Sequence, residues 1–264
     1  MDDIKVSIII PTHKRPWLLE RALKSINSQR DNFVQIIVVS DVFDTETHGV
    51  VDRLLSQHDV FVRRTGNSGP AVSRNMGLQH AVGKYIIYLD DDDEISENSL
   101  KQLIATKSFS DNKLICTDGV RGVESRPNGV GMVIAKEIAQ YGLALNEEFY
   151  VRNQVPLSCI CIPSPLAKCL EFDCFMTAYE DWDYLMRLFT MEWPTYEGLV
   201  LPTIYIVPDE TTDRRGQSVN AQNENAILDY LYAYKRTPAS NTHIAEKRAE
   251  LINAFGFPVK SWQL

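Results

Sequence analysis

The chain has 264 residues, 44% hydrophobic and 23% charged, with a net charge of −8 at pH 7. That length can bury one large core, alone or with an appendage, while the negative charge argues against unspecific binding to nucleic acid phosphates. A small anionic ligand held by a metal and a few local cations stays compatible with it, and no apolar stretch approaches the roughly 20 residues of a membrane-spanning helix.

The N-terminus, MDDIKVSIIIPTHKRP, is acidic and runs straight into an apolar segment, so no secretory signal is read there. KVSIII (5–10) is a β-branched run ended by Pro11 and reads as a strand. PWLLERALKSINSQ follows as a helix, with Pro16 suited to the first turn and Leu19, Ala22, Leu23 and Ile26 on one face. VQIIVVS (34–40), VFVRR (60–64) and KYIIYL (84–89) read as further strands, and GPAVSRNMGLQHAVG (69–83) as a helix closed by Gly83. Continuous rather than alternating apolar runs imply burial on both faces, as in a parallel sheet wrapped by helices. Ligands of such sheets bind beyond the carboxyl ends of the strands. Polar clusters fall there: Pro11-Thr12-His13-Lys14-Arg15, then Asp41, then Asp90 to Asp93.

The four adjacent aspartates pose an electrostatic problem. Alternation along a strand sends Asp90 and Asp92 to one side and Asp91 and Asp93 to the other. Two carboxylates about 5 Å apart repel by roughly 3 kcal/mol at an effective dielectric near 20. Protonation of some of them resolves this, and so does a divalent cation with oxygen ligands. So does a solvated turn that begins a helix, whose N-terminus Glu94 and Glu97 would favour.

The second half is less regular. NSLKQLIATK reads as a helix with Ser96 as its cap, KLICT (113–117) as a strand, and YEDWDYLMRLFTM (179–191) as an amphipathic helix. LVLPTIYIVP (199–208) reads as a strand interrupted at Pro202, followed by two helices in AQNENAILDYLYAYKR and HIAEKRAELINAF. Tyr230, Tyr232 and Tyr234 read as helix packing. Five irregularly spaced cysteines complete no zinc set and read as reduced structural thiols of a cytoplasmic protein, and the five histidines show no ligand spacing.

Several ordered motifs resemble those of the family 2 glycosyltransferases. GNSGPAVSRNMGLQHAVGKYIIYLDDDDEI is similar to the family's Gly-rich turn, A-R-N-x-G helix, A-x-G-x-Y segment and L-D-x-D-D, through Ser73 to Gly77, Ala81 to Tyr85 and Leu89 to Asp93. VSIIIPTHKRPWLLERALKSI resembles the family opening, with Lys14 for the common Asn. Asp41 stands where the family has D-D-G-S, with Ser40 for the first Asp and no Gly-Ser. The likeness covers about residues 4–95.

The resemblance implies an α/β GT-A fold: a Rossmann-like, doubly wound mixed sheet flanked by helices, with C-terminal helices. It implies a GT-A domain over 1–220, divided into a nucleotide-sugar-binding half (1–118) and an acceptor-binding half (119–220), and a helical extension over 221–264. The implied activity is metal-dependent, inverting transfer of a sugar from a nucleotide diphosphate-sugar, a UDP-sugar first, to a saccharide or lipid-linked saccharide of the cell surface. Implied donor contacts are Pro11, Thr12, His13, Arg15, Asp41, Gly69, Arg74, Asp90, Asp91, Asp92 and Arg215, with Asp41 on the base. Asp90 and Asp92 would form the D-x-D and hold Mn2+ or Mg2+, leaving Asp91, on the opposite face, structural.

YEDWDYLMRL resembles the family's E-D-[WYF]-[DE] motif. Asp181 would be the base, Glu180 a neighbour orienting acceptor or donor, and Trp182 an apolar wall for the acceptor sugar. Their position at a helix N-terminus is expected to lower the carboxylate pKa. A surface helix whose acidic residues complement the dipole is the plainer account. TTDRRGQSVN (211–220) is similar to the family's R-x-H-x-x-S-x-S, with Arg215 in the place of the His and Ser218 matching the Ser; a flexible polar loop explains it equally well. The expected location is cytoplasmic, at the inner membrane face where the acceptor is lipid-linked. Two other readings stay open: a sugar-phosphate nucleotidyltransferase, disfavoured because PTHKRPW lacks glycine, and a nucleotide-sugar binding module without a working base.

Overall fold

The structure, a computed structural model, describes residues 4–66, 69–125, 132–207 and 224–264. Its first part alternates strand and helix: β1 (Val6–Thr12), α1 (Pro16–Asn27), β2 (Val34–Ser40), α2 (Thr45–Leu54), β3 (Val60–Arg63), α3 (Pro70–Gln79) and β4 (Tyr85–Tyr88). Then come β5 (Glu94–Ile95), α4 (Ser99–Ala105), α5 (Lys107–Ser110), β6 (Ile115–Ser125), β7 (Met132–Ala139), β8 (Ile160–Pro163), α6 (Ser164–Ala167), α7 (Glu180–Met191), β9 (Thr195–Ile206), α8 (Glu224–Arg236) and α9 (Thr242–Ala254).

Among the described residues nine strands form one sheet in the order β3-β2-β1-β4-β8-β6-β9-β5, with β7 attached to β6. β1 pairs in parallel with β2 and β4, and β2 with β3, as their unbroken apolar runs predict. Every residue of β1 and β2 is buried. Alternate side chains enter opposite layers: Ile8 and Ile10 share one core with Leu19 and Leu23 of α1, whereas Ile9 belongs to the other, with Leu78 of α3 and Trp182 and Leu185 of α7. Each such fully buried Ile or Leu contributes roughly 1.5–3 kcal/mol, which makes this half the rigid platform of the site.

Beyond β4 the pairing changes. β8 runs antiparallel to both β4 and β6, while β6 runs parallel to β9. The sheet is therefore mixed, in agreement with the expected α/β class. β6 straddles residues 118 and 119, so one strand joins the two halves anticipated on either side of that point. β9 is continuous through Pro202, against the expected interruption. The β6–β9 register shifts between Asp118 and Val120, and Gly119 approaches the Pro202 carbonyl so closely that a Cβ there would stand 3.2 Å from it. An irregularity of this kind accommodates the proline.

Helix α2 was not read from the sequence. It buries only Thr47, Val50 and Val51 and starts at an Asp44 cap that accepts from the Thr47 N–H. The N-cap of α4 is Asn98 in a left-handed conformation, not Ser96. All five cysteines are free, and Cys116, Cys159 and Cys161 are buried. Among the described residues no helix is long and apolar enough to cross a membrane.

Candidate active site

The acidic loop leaves the sheet at the end of β4, where the Asp93 N–H donates to the Asp90 carbonyl at 3.1 Å and turns the chain into β5. The four carboxylates divide as strand alternation requires. Asp91 and Asp93 are buried, whereas the side chains of Asp90 and Asp92 are 51% and 20% exposed. Asp91 accepts from Thr12 Oγ1 at 2.7 Å and pairs with Arg15 Nη2 at 2.6 Å. Burial pushes its carboxyl up to about 7 although Arg15 opposes this, and Asp92 adds to the rise. Asp93 accepts from the Tyr205 N–H at 3.0 Å, and burial drives its carboxyl well above the usual range.

Three of the expected donor contacts have buried side chains here. Pro11 and Thr12 are buried within β1, and the Thr12 hydroxyl is committed to Asp91. Asp91 itself faces the interior. All three side chains shape the loop from beneath. Arg15 lies between Asp91 and Asp92, 3.7 Å from Asp92 Oδ2.

Two residues that the sequence did not single out fasten the loop from the other side. Arg21 of α1 donates to the Asp92 carbonyl at 2.5 Å and to Glu124 Oε1 at 2.5 Å. Its guanidinium lies 4.1 Å from the centroid of the Tyr205 ring. Glu124, on β6, is completely buried. Arg21 sits on the polar face of an amphipathic helix, and its partners are 71 and 103 residues away in sequence, so no local pattern announces it.

Helix α3 brings a third group to the loop. Gly77 lets it lie against β1, since a Cβ there would fall 2.5 Å from Ile9 Cγ2. From that position the buried Arg74 donates to Asp90 Oδ1 at 2.8 Å and to Glu180 Oε1 at 2.9 Å. Burial works against the guanidinium charge, but Asp90, Glu180 and Asp181 outweigh it and keep Arg74 protonated. At the N-terminus of α3, Gly69 (φ 139°) donates its N–H to Asp41 Oδ2 at 3.0 Å. The other Asp41 oxygen stands 2.5 Å from Nδ1 of the exposed His13, and Arg64 lies 3.6 Å away. The expected base-contact residue is thus tied to three neighbours at the carboxyl end of β2.

Helix α7 supplies the last carboxylates. Tyr179 enters it at φ 58°, and Glu180, Asp181 and Asp183 occupy its first turn. Asp181 is partly exposed, with Oδ1 accepting from the Trp182 N–H at 2.8 Å. Its carboxyl is raised to about 6, first by burial and then by Glu180, with Arg74 opposing. The expected lowering by the helix terminus is therefore overturned: desolvation and a like charge outweigh the dipole.

Trp182 is fully buried and donates Nε1–H to the Phe149 carbonyl at 2.9 Å. It is a core residue and not an acceptor wall, because the apolar face of α7 turns it inward. Glu180 is 1% exposed against Arg74 and offers no open face to an acceptor. Arg215 and Ser218 lie outside the described residues.

Asp90 and Asp92 are oxygen donors turned outward on one side of the loop, which suits a hard divalent cation. Among the described residues no three His, Cys, Asp or Glu side chains converge as a metal-binding group.

Residues 7–136 match the model of glycosyl transferase family 2. Over that stretch the chain belongs to glycosyl transferase family 2. One relative is GalNAc(5)-diNAcBac-PP-undecaprenol beta-1,3-glucosyltransferase of Campylobacter jejuni, 38% identical over 103 residues that make up 38% of this chain and 33% of that protein. The chain thus matches a third of that relative's length. The crystal structure of Staphylococcus aureus TarS 1–349 in complex with UDP-GlcNAc superposes with a TM-score of 0.65 at 19% identity, over 96% of this chain and 73% of that one. The mannosyltransferase PcManGT of Pyrobaculum calidifontis, in complex with GDP-Man and Mn2+, gives a TM-score of 0.59 at 15% identity, over 96% and 73%. These likenesses establish the family's GT-A fold for this chain.

Proposed function

We propose that this chain is a metal-dependent, inverting glycosyltransferase that moves a sugar from a nucleotide diphosphate-sugar, in the first instance a UDP-sugar, to a saccharide or lipid-linked saccharide acceptor. The observation that carries the reading is the position of Arg74. One guanidinium joins Asp90 of the acidic loop to Glu180, the immediate neighbour of Asp181, across 106 residues of sequence. A solvated acidic turn and an unrelated surface helix would have no reason to share a buried cation. Family membership over 7–136 and the sugar-nucleotide complexes of the structural relatives support the same reading.

In this mechanism Asp90 and Asp92 would hold the cation. A bound divalent ion supplies charge stabilisation for the departing diphosphate. Asp41, His13 and Gly69 edge the nucleotide end of the cleft, and Arg15 stands behind Asp92. Asp181, with a carboxyl near 6, is ionised at neutral pH yet basic enough to take the proton of an acceptor hydroxyl during attack. Glu180 keeps Arg74 charged and Asp181 raised, and so acts through its neighbours. The relative acting on an undecaprenol-linked glycan supports an acceptor of the lipid-linked class and a place at the inner membrane face in cell-surface polysaccharide synthesis.

The decisive test is turnover of a panel of UDP-, GDP- and TDP-sugars with Mn2+, using saccharide acceptors and water, by the parent chain and Asp181→Asn. Transfer or donor hydrolysis by the parent, lowered about 10²-fold in the variant at unchanged donor affinity, is the expected result. Donor binding with no turnover by the parent would favour a binding module.

A further inference from the structure

Side chains of helix α8, in the C-terminal extension, grip the segment that delivers Asp181. One oxygen of Asp229, Oδ2, accepts from the Thr177 N–H at 2.9 Å, the Thr177 hydroxyl at 2.9 Å and the Ala178 N–H at 2.7 Å. Three donors on one ionised oxygen make a strong and directional clamp. The next residue, Tyr230, sets its ring 4.5 Å from that of Tyr179 and 5.0 Å from that of Trp182. Further along α8, Tyr232 donates to Asp173 Oδ2 at 3.0 Å, and Arg236 donates to Asp173 Oδ2 at 2.7 Å and to Asp183 Oδ2 at 3.1 Å. Residues 173 to 183 are therefore held at both ends by a single helix.

What the clamp secures is the entry into α7. Tyr179 adopts φ 58°, a left-handed conformation that a bulky residue keeps only where its surroundings over-determine it. Its carbonyl accepts from the Asp183 N–H at 2.9 Å and so starts the helix whose second residue is Asp181. With Thr177 and Ala178 bonded to Asp229 and the Tyr179 ring pressed on Tyr230, the segment two to four residues before Asp181 is fixed from α8. On the other side Glu180 is fixed by Arg74.

We infer that Asp229 is a positioning residue for the acceptor half-reaction: through Thr177 and Ala178 it sets where the Asp181 carboxylate meets an acceptor hydroxyl. The inference rests on the reading of Asp181 as the base. The bonds of Asp229 end on the loop before α7 and none reaches the acidic loop, so its effect on donor affinity is expected to be small.

The test compares Asp229→Ala, Asp229→Glu and Asp229→Asn in the full chain with Asp181→Asn. Hydrolysis or transfer is followed with UDP-sugars and Mn2+, and calorimetry with UDP and Mn2+ reports the donor site. Asp229→Ala is expected to lower kcat about tenfold or more, since displacement of a reacting group by an ångström is felt at that scale, with UDP affinity within twofold of the parent. Asp229→Asn, which keeps an accepting oxygen in place, should restore most of kcat. Should the alanine variant not fold, Asp229→Glu carries the decision: the added methylene displaces the turn and predicts a smaller drop in kcat, again at parental UDP affinity. A kcat within twofold of the parent in the folded alanine and glutamate variants, with Asp181→Asn inactive, overturns the positioning role alone. Full turnover by Asp181→Asn overturns the base assignment and this inference with it. Loss of UDP affinity in proportion to kcat also contradicts the inference, because it marks general disruption of the fold.

Discussion

The two ends of the proposed site are built in different ways. At the donor end, one carboxylate loop sits at the tip of a buried parallel strand, and most of its side-chain neighbours come from the first half of the chain, Thr12, Arg15, Arg21 and Arg74, with Tyr205 of β9 added through its N–H. At the acceptor end, Asp181 is placed by contacts from α3 and α8, 106 and about fifty residues distant from the groups they hold. The donor end is a local consequence of βαβ winding. The acceptor end is a tertiary assembly in which each contact is a long-range ion pair or a side-chain clamp. Damage should follow that division: donor-end changes alter nucleotide affinity, acceptor-end changes alter turnover, and Arg74 alone should disturb both.

Replacing Arg74 with Met probes the joint between the two ends and is expected to have the largest effect. It takes away the guanidinium that faces buried Glu180, at a cost of about 3–5 kcal/mol in unfolding free energy measured with denaturant. Adding Glu180→Gln should recover most of that stability without restoring transfer. Full recovery of transfer would mean that Arg74 is only a structural ion pair.

Next comes Arg21→Met, a donor-end change. Loss of the hydrogen bond to the Asp92 carbonyl should weaken Mn2+-dependent UDP binding about tenfold, or 1.4 kcal/mol by calorimetry. The same variant leaves buried Glu124 without this guanidinium, so Arg21→Met/Glu124→Leu serves as the stable comparison. A purely structural Arg21 would give parental affinity in the double variant.

The pH dependence sharpens the acceptor end. Asp181 accepts a proton only when ionised, and its carboxyl is raised to about 6. The value of kcat/KM should then fall as pH drops through about 6 and level off above it. Removing a like charge with Glu180→Gln should move the acid limb to lower pH. An acid limb unmoved in that variant would detach the titrating group from Asp181.

The smallest effect is expected from Trp182→Phe. It removes the bond to the Phe149 carbonyl and should cost about 1–2 kcal/mol of stability while leaving acceptor KM unchanged. A raised acceptor KM would return Trp182 to the acceptor surface.

Much of the donor end was legible before the structure. The continuous runs at 5–10, 34–40 and 84–89 identify buried parallel strands, and strand alternation correctly separates outward Asp90 and Asp92 from buried Asp91 and Asp93. Helix α2 escaped because its signal is a cap and three buried side chains in a polar run with an internal Gly49. Arg21 and Asp229 escaped for another reason. A polar residue on a helix surface looks the same in sequence whether it faces water or a loop folded back from 50 to 100 residues away. Trp182 was misplaced because the motif fixes its position in the chain, whereas the apolar stripe of α7 decides which way it points. The raised Asp181 carboxyl depends on burial and on Glu180, neither of which a helix-terminus argument contains.

The central claim is that the outward carboxylates of the acidic loop hold a divalent cation that in turn binds a nucleotide diphosphate. Its most direct measurement is calorimetric titration of UDP into the parent chain and into Asp92→Asn, each with and without Mn2+. Mn2+ should strengthen UDP binding to the parent, and this gain should disappear in the variant. An equal gain in both proteins, or none in the parent, would contradict it.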